Sequence, residues 1–467
     1  MTGSGTPGSA GPAAGTSGAP AAGTSGAGGS AGVGQAGASG AAGGGGAGMS
    51  GQAGSGGSLA GSGGSLAGSG GSLAGNGGSV GTGGSLAGTG GASGKGGDTG
   101  GMAGSGGAPT TFTCGATTVG GPWPMRGRCP HRRGVAVTGA TITGVKWTFG
   151  AGGPWASFSP VVIDASGAIY TVGCKNMAPK PTRTLLVLSA AGALLWSLPL
   201  GEASWCYPDA PAIGVDGTLY IVVGTALRAI SSSGVPIWST DVGPGGGDVA
   251  IGDDGTIYAN GAAVSPAGTL KWKIGSYGSP AITDDGKTIY FASGSSVSAV
   301  RTDGTVAWTK DVDGGQGQGG CGSGHALGDP TAATDGTVYL PYSTWCPDYG
   351  AGAVAVTAAG EIAPWHVSLG KNSPVPRPTI GLDGWVHLGK SSCAPTSVCA
   401  GLWMVGQSPA IAPDGTLYFG LSVQKPDGTQ SWSLGGNAPH ANAEPAIGAD
   451  GTVVVPCDDG QIYALGP

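Results

Sequence analysis

Beyond Val145 the chain consists of short apolar runs separated by polar turns, at a spacing too tight for helices. Four runs stand out within Ser279–Val312: Pro280–Thr283, Thr288–Ala292, Val297–Arg301 and Val306–Lys310. The first two are joined by a turn ending at Gly286, the last two by Asp303-Gly304. Asp-Gly between runs of β-formers predicts hairpins, with type I′ turns whose central residues both take positive φ. The stretch therefore predicts one four-stranded antiparallel sheet. A sheet of that size cannot bury both faces alone and needs copies of itself to stack against.

The copies follow. Units of this pattern are marked by a first-turn glycine at 167, 217, 255, 286, 336, 384, 415 and 451. An apolar strand precedes each glycine, as in Pro211–Ile213, Pro280–Ile282, Pro409–Ile411 and Pro445–Ile447, and a strand such as TLYIVV or TIYFA follows it. Most units close with a strand carrying tryptophan: Trp196, Trp238, Trp272, Trp308, Trp365 and Trp432. A four-strand repeat of about 40 residues predicts an all-β fold, a β-propeller of eight four-stranded blades, with seven as the alternative. The last unit, Glu444–Leu465, lacks its Trp strand, and Val145–Phe149 is a Trp strand without a unit. The two complete one another, so the N-terminal strand is expected to close the ring and hide the sheet edges. In the weak sixth unit the third and fourth strands are expected from Cys399–Val405, with Trp403 in the Trp position.

These repeats, in PAIGVDGTLY, PAIAPDGTLYFG, AEPAIGADGTVVVPCDDGQIYAL and RTDGTVAWT, resemble the PQQ-like repeat of quinoprotein-type propellers over Val145–Leu465. That superfamily, the quinoprotein alcohol dehydrogenase-like one, includes pyrroloquinoline-quinone dehydrogenases. It also includes a cofactor-free propeller lipoprotein of the outer-membrane assembly machinery. The enzymes carry a disulfide between adjacent cysteines under the quinone, an acidic base and a calcium site. This chain has no Cys-Cys dipeptide and no acidic pair outside its turns in an evident catalytic setting.

Composition divides the chain. Residues 1–110 hold 46 of its 104 glycines, two charges (Lys95 and Asp98) and no aromatic residue, too little apolar surface to offset chain entropy. They are expected to be a disordered Gly/Ser/Ala-rich spacer, although the regular Leu59, Leu66, Leu73, Val80 and Leu86 leave a glycine-rich solenoid as the alternative. A Cys-containing lead-in, 111–144, then precedes the propeller, 145–467. Net charge is −6, read as spread without a block, and no basic stripe suits nucleic acid. The longest apolar run, Leu185–Trp196, is too short and interrupted to span a bilayer. A monomer is expected. No signal peptide is visible, yet there are nine cysteines, mostly in predicted loops. Export to the cell envelope or beyond, with a leader missing from this sequence, is the reading that reconciles the two.

In an antiparallel meander, first-to-second and third-to-fourth connections share one face of the disc, here the short-turn face. The other connections share the long-loop face, to which the insertions Lys175–Thr184, Gly201–Asp209, Asp313–Asp329, Ser343–Gly352, Ser391–Ala400 and Gly435–Ala443 are assigned. Binding residues concentrate on such loops. Four disulfides are expected: Cys174–Cys206, Cys321–Cys346, Cys393–Cys399 and Cys114–Cys129, with Cys457 left unpaired. A zinc site on Cys321 and His325, or on Cys393 and Cys399, is the competing reading, short of a second ligand pair. Trp205, Tyr207, Trp345 and Tyr349 flank cysteines and are candidates for a stacking platform, or else pack the loops down. His325 and His440 are the histidines placed on the long-loop face. The aspartates fall in turns, where their side chains bond local backbone; no calcium loop or nucleophile elbow accompanies them.

The expected function is a non-catalytic extracytoplasmic scaffold, without cofactor, that binds a protein or polysaccharide of the cell envelope through its long-loop face. The alternative is a dehydrogenase using pyrroloquinoline quinone with Ca²⁺.

Overall fold

The computed structural model describes residues 120–467 except 176–178, 205, 207, 276–277, 313–325, 344–349, 372–375, 390, 396–398, 402–406 and 437. The described chain is an eight-bladed β-propeller of antiparallel sheets, with no helix among the described residues. No helix there is long and apolar enough to cross a membrane. Blade 4, the reference unit, runs Pro280–Ile282, Thr288–Ser293, Ser296–Arg301 and Val306–Asp311 from axis to rim. In blades 1 and 5 the innermost strand is in two pieces, Ser157–Phe158 with Val162–Ile163 and Ala326–Leu327 with Thr331–Ala332. Pro160 and Pro330 lie in the breaks, where a residue without N–H cannot continue a ladder. Blade 8 is completed as the repeat arithmetic required: Gly144–Phe149 pairs antiparallel with Ile462–Gly466.

All eight marker glycines have positive φ, from +66° at Gly286 to +83° at Gly167. The turns are not type I′, however. The residue before each glycine, an aspartate in seven blades and Ser166 in blade 1, is not in the left-handed region, and only the glycine is. In blade 4 the Gly286 N–H donates to Thr283 O at 2.9 Å, and Thr283 N–H donates to Thr288 O at 2.9 Å. This is a tight turn ending on one left-handed residue; Lys287 lengthens the blade 4 loop to four residues, whereas the other blades have the three-residue form, as where Gly214 N–H donates to Thr218 O at 2.8 Å. Asp285 caps it by accepting from Lys287 N–H at 3.1 Å. The same Asp-to-N–H bond recurs at Asp216, Asp254, Asp335, Asp383, Asp414 and Asp450.

Blades are clasped at the rim by the Trp strands. The indole N–H of Trp272 donates to Thr302 O of the next blade at 2.8 Å, and Gly304 lies under the ring. A Cβ at Gly304 would stand 2.6 Å from the indole, so this position needs glycine for space as well as for φ. Trp147, Trp196, Trp238, Trp308 and Trp365 make the same bond one blade on. Trp432 faces blade 8, whose third and fourth strands come from opposite ends of the sequence, so no turn carbonyl awaits it. Between blades the core is aliphatic and aromatic, as where Tyr258, Ile257 and Val264 of blade 3 cluster with Ile289 and Phe291 of blade 4.

Blade 6 departs from its sequence reading. Its third strand is Ser391–Cys393 and its fourth is Cys399–Gly401; Trp403 lies outside the described residues. The connection after Cys393 is therefore third-to-fourth and belongs to the short-turn face. The expectation erred because Ser391–Cys393 has almost no apolar character with which to announce a strand.

Candidate functional site at the propeller axis

The innermost strand of each blade is a sheet edge, and its axis-facing N–H groups need partners. Residues 120–136, within the segment read from sequence as a lead-in, supply them by threading the channel. Trp123 forms a bridge with Ile163 of blade 1. Ile213, Ile282, Ala332, Ile380 and Ile411, from blades 2, 4, 5, 6 and 7, donate their N–H to the carbonyls of Pro124, Pro130, His131, Arg133 and Gly134 at 2.8–3.2 Å. The plug enters on the short-turn face, where Gly120 packs against Gly214, and returns to it, where Ala140 N–H donates to the Tyr418 hydroxyl at 2.8 Å. Its turn is tight: Gly127, Arg128, Arg132 and Gly134 all take positive φ, and a Cβ at Gly127 would stand 2.8 Å from Arg132 Cα. Arg128 staples the two arms, donating to Pro122 O and Val135 O.

Blades 3 and 8, which give the plug no backbone bond, give it carboxylates. Arg126 donates to Asp248 at 2.6 Å, Asp329 at 2.6 Å and Glu444 at 2.9 Å. Arg132 donates to Asp248 at 3.1 Å and to Pro280 O. Arg377 pairs with Glu444 at 2.6 Å and bonds Arg132 O. Toward the short-turn face Arg133 takes Asp284 at 2.5 Å, with His131 at 3.1 Å from the same oxygen. Burial alone would raise the Glu444 pKa, but Arg126 and Arg377 bring it down to about 2. Burial likewise opposes ionisation of Asp248, and Arg126 and Arg132 outweigh it and hold its pKa below the usual range. His131 is pushed down to about 4 by burial and then by Arg133, despite Asp284.

The repeat explains this ring. At one position of the repeat, just ahead of the inner strand, stand Pro160, Ala210, Asp248, Ser279, Asp329, Arg377, Ser408 and Glu444, one per blade. Three acids against one arginine leave the channel mouth negative, and Arg126 and Arg132 of the plug balance it. The sequence carried two signals for this. Four arginines and a histidine fall within 126–133 of a chain with only 19 Lys and Arg, so charge is not free of blocks after all. Their complement is a polar residue recurring just before the inner strand.

Above the plug, on the long-loop face, lies a cavity of about 230 Å³ lined by Arg126, Phe158, Pro208, Asp209, Gln407 and Asn442, with Asp248 at its floor. Asp209 is raised to about 7 by burial and by Asp248, against the pull of Arg183. A wider depression of about 300 Å³ at the rim between blades 3 and 4 offers, among the described residues, backbone, hydroxyls and two apolar side chains and no titratable group.

Of the candidates named from sequence, Cys174 and Cys206 form a disulfide with Cα atoms 5.5 Å apart; Cys174 lies in the second strand of blade 1, Ile169–Lys175, and not in an insertion, and the bond ties it to the insertion that follows the fourth strand. Cys129 and Cys393 are also disulfide-bonded, and Cys393 faces Cys399 in the strand register. Cys457 is free and buried. His440 is exposed on the long-loop face, 3.3 Å from Asp458. Trp205, Tyr207, His325, Trp345, Tyr349, Cys114, Cys321 and Cys346 lie outside the described residues. No group of three metal-ligating side chains occurs among the described residues.

No protein-family model matches the chain, and no curated protein does. Among solved structures, a quinohemoprotein alcohol dehydrogenase from Pseudomonas putida matches with a TM-score of 0.52 at 12% identity, over 74% of this chain and 80% of that one. The chain shares the propeller fold of that dehydrogenase. Streptogramin B lyase (TM-score 0.40, 14% identity, 68% of this chain and 96% of that one) and the WD40 propeller of Doa1 (0.38, 12%, 71% and 96%) are also similar.

Pyrroloquinoline quinone is a planar tricarboxylate and needs a flat slot with unspent cationic donors. Here the axis is filled by residues 120–136, and both terminal nitrogens of Arg126 are spent on three carboxylates. The remaining cavity is below the about 300–1,000 Å³ of pockets for drug-sized ligands, and it is lined by Asp209 and Asp248. The residues present do not fit the group.

Proposed function

We propose that the protein is a non-catalytic binding propeller, working outside the cytoplasm, that holds a protein or polysaccharide of the cell envelope on its long-loop face. The observation that carries this reading is the filled axis. With residues 120–136 bonded to the inner strands, the concave surface left at the centre of the disc is the small cavity on the long-loop face. The short-turn face is trimmed to hairpin loops and crossed by the chain on its way in and out. The disulfide Cys174–Cys206 ties the insertion after blade 1 to that blade's second strand, which favours a preorganised surface and an oxidising compartment.

The test uses residues 111–467 as bait for an envelope fraction, with free envelope polysaccharides as competitors. A saturable partner, displaced by mutations on long loops and not by mutations in the short turns, is expected. Saturable binding of pyrroloquinoline quinone with Ca²⁺, together with dye-linked alcohol or sugar oxidation, would overturn the reading.

A further inference from the structure

The cavity at the channel mouth has hydrogen-bonding capacity that the protein does not use. Asp209 has a side chain 22% exposed, and its nearest cationic partner is Arg183 at 3.8 Å, beyond hydrogen-bond range. Asp209 accepts no hydrogen bond among the described residues. Asn442 Oδ1 is buried without a partner, and the Gln407 side chain makes no hydrogen bond among the described residues. Of the three, Asn442 Oδ1 is the buried atom, and buried polar atoms are normally satisfied, so its place beside Asp209 and Gln407 at one cavity points to a missing partner. Asp209 and Asn442 Oδ1 offer acceptors, and of Arg126 only the buried Nε is unspent among the described residues, so the partner that the acceptors call for is a donor. Phe158 and Pro208 give the cavity an apolar wall suited to an alkyl stem.

We infer that this cavity is a binding site for one organic cation, an alkyl ammonium or guanidinium, held by Asp209 with Gln407 and Asn442 around it. The cation is a lysine or arginine side chain of a partner protein or a free amine. The inference rests on the reading of the long-loop face as a binding surface and narrows it to a basic group. The charged groups facing Asp209 are Asp248, Asp329, Arg183 and Arg126. Burial, and then the first two, hold it partly protonated near neutrality, so the cation binds best once Asp209 has ionised.

The experiment is calorimetric titration of the full chain with n-butylammonium and N-ethylguanidinium, with 1-pentanol and glucose as neutral controls. Saturable binding of the cations alone is expected, weakened at least tenfold by Asp209→Asn. Affinity should fall about tenfold per pH unit below about 7. Thermal melting checks that Asp209→Asn is folded. Gln407→Glu, which adds a carboxylate at the same cavity, should tighten binding severalfold and gives a second readout if Asp209→Asn misfolds. Nα-acetyl-lysine methylamide separates the sources: binding as tight as n-butylammonium assigns a protein side chain, and exclusion assigns a free amine. No saturable cation binding, binding indifferent to Asp209→Asn, or preference for glucose would overturn the inference. An envelope partner captured equally by the wild type and by Asp209→Asn would leave the broader reading standing while this one fell. Cation binding without any captured partner would do the reverse.

Discussion

The centre and the rim of this propeller both hold neighbouring blades together, and they do it with opposite chemistry. At the rim one device is repeated around the ring: a tryptophan from one blade lies over a turn glycine of the next and donates to a carbonyl two residues before it. At the centre the device is used once. A single segment bonds the inner strands of six blades, and its arginines take up the carboxylates of the others. Repeated clasps distribute their contribution, so losing one should be tolerated. A shared ionic hub concentrates it, because charges out of water are stable only while every partner is present.

The largest contrast should come from Arg126→Met. It leaves Asp248 and Glu444 buried with one cation fewer, and a loss of about 3–5 kcal/mol is expected in urea unfolding. A loss within that of a single rim variant would erase the distinction between hub and clasp.

Acid should separate centre from rim as well. The His131 pKa in the folded state, about 4, lies below its ordinary value of 6.5. The unfolded chain therefore binds the extra proton first, and the stability this histidine contributes is present above pH 6.5 and lost as pH falls toward 4. The loss is on the order of 1–3 kcal/mol. Asp209, with its pKa raised to about 7, works in the opposite direction over part of the same range. His131→Gln should flatten the profile of unfolding midpoint against pH; an unchanged slope would remove this histidine from the account.

The rim is sharpened by paired substitutions. Gly304→Ala meets the Trp272 ring at 2.6 Å, whereas Gly217→Ala, at a similar φ, meets only Ser232 Cβ at 3.7 Å. The first should cost about 2–3 kcal/mol and the second about 1 kcal/mol. Trp272→Phe should likewise lose about 1 kcal/mol with its bond to Thr302, and Trp432→Phe, which has no such bond among the described residues, should lose the least.

The rim was legible in the sequence and the hub was not, for physical reasons. Turn glycines, Pro-Ala-Ile strands and tryptophans recur because each blade solves the same local problem, so period and turn chemistry suffice to find them. Even the ring closure could be read, from a Trp strand missing at one end and supplied at the other. Residues 120–136 solve a problem that exists only once the ring has closed, and their partners lie from about 40 to 318 residues away. No local pattern encodes such a segment; only charge complementarity does, between Arg126–Arg133 and the acids ahead of the inner strands. Asp209 and Asn442 were passed over similarly, as ordinary loop residues. Blade 6 was misread where Ser391–Cys393 has too little apolar character to show as a strand.

The most direct test of the hub compares urea unfolding of two truncated chains, one beginning at residue 111 and one at residue 137. The first should unfold cooperatively with the midpoint of the full chain. The second, which keeps every blade strand but lacks the plug, should lose more than any single substitution above or fail to fold. Equal midpoints for the two chains would contradict the account, since the blades would then close their own axis without residues 120–136.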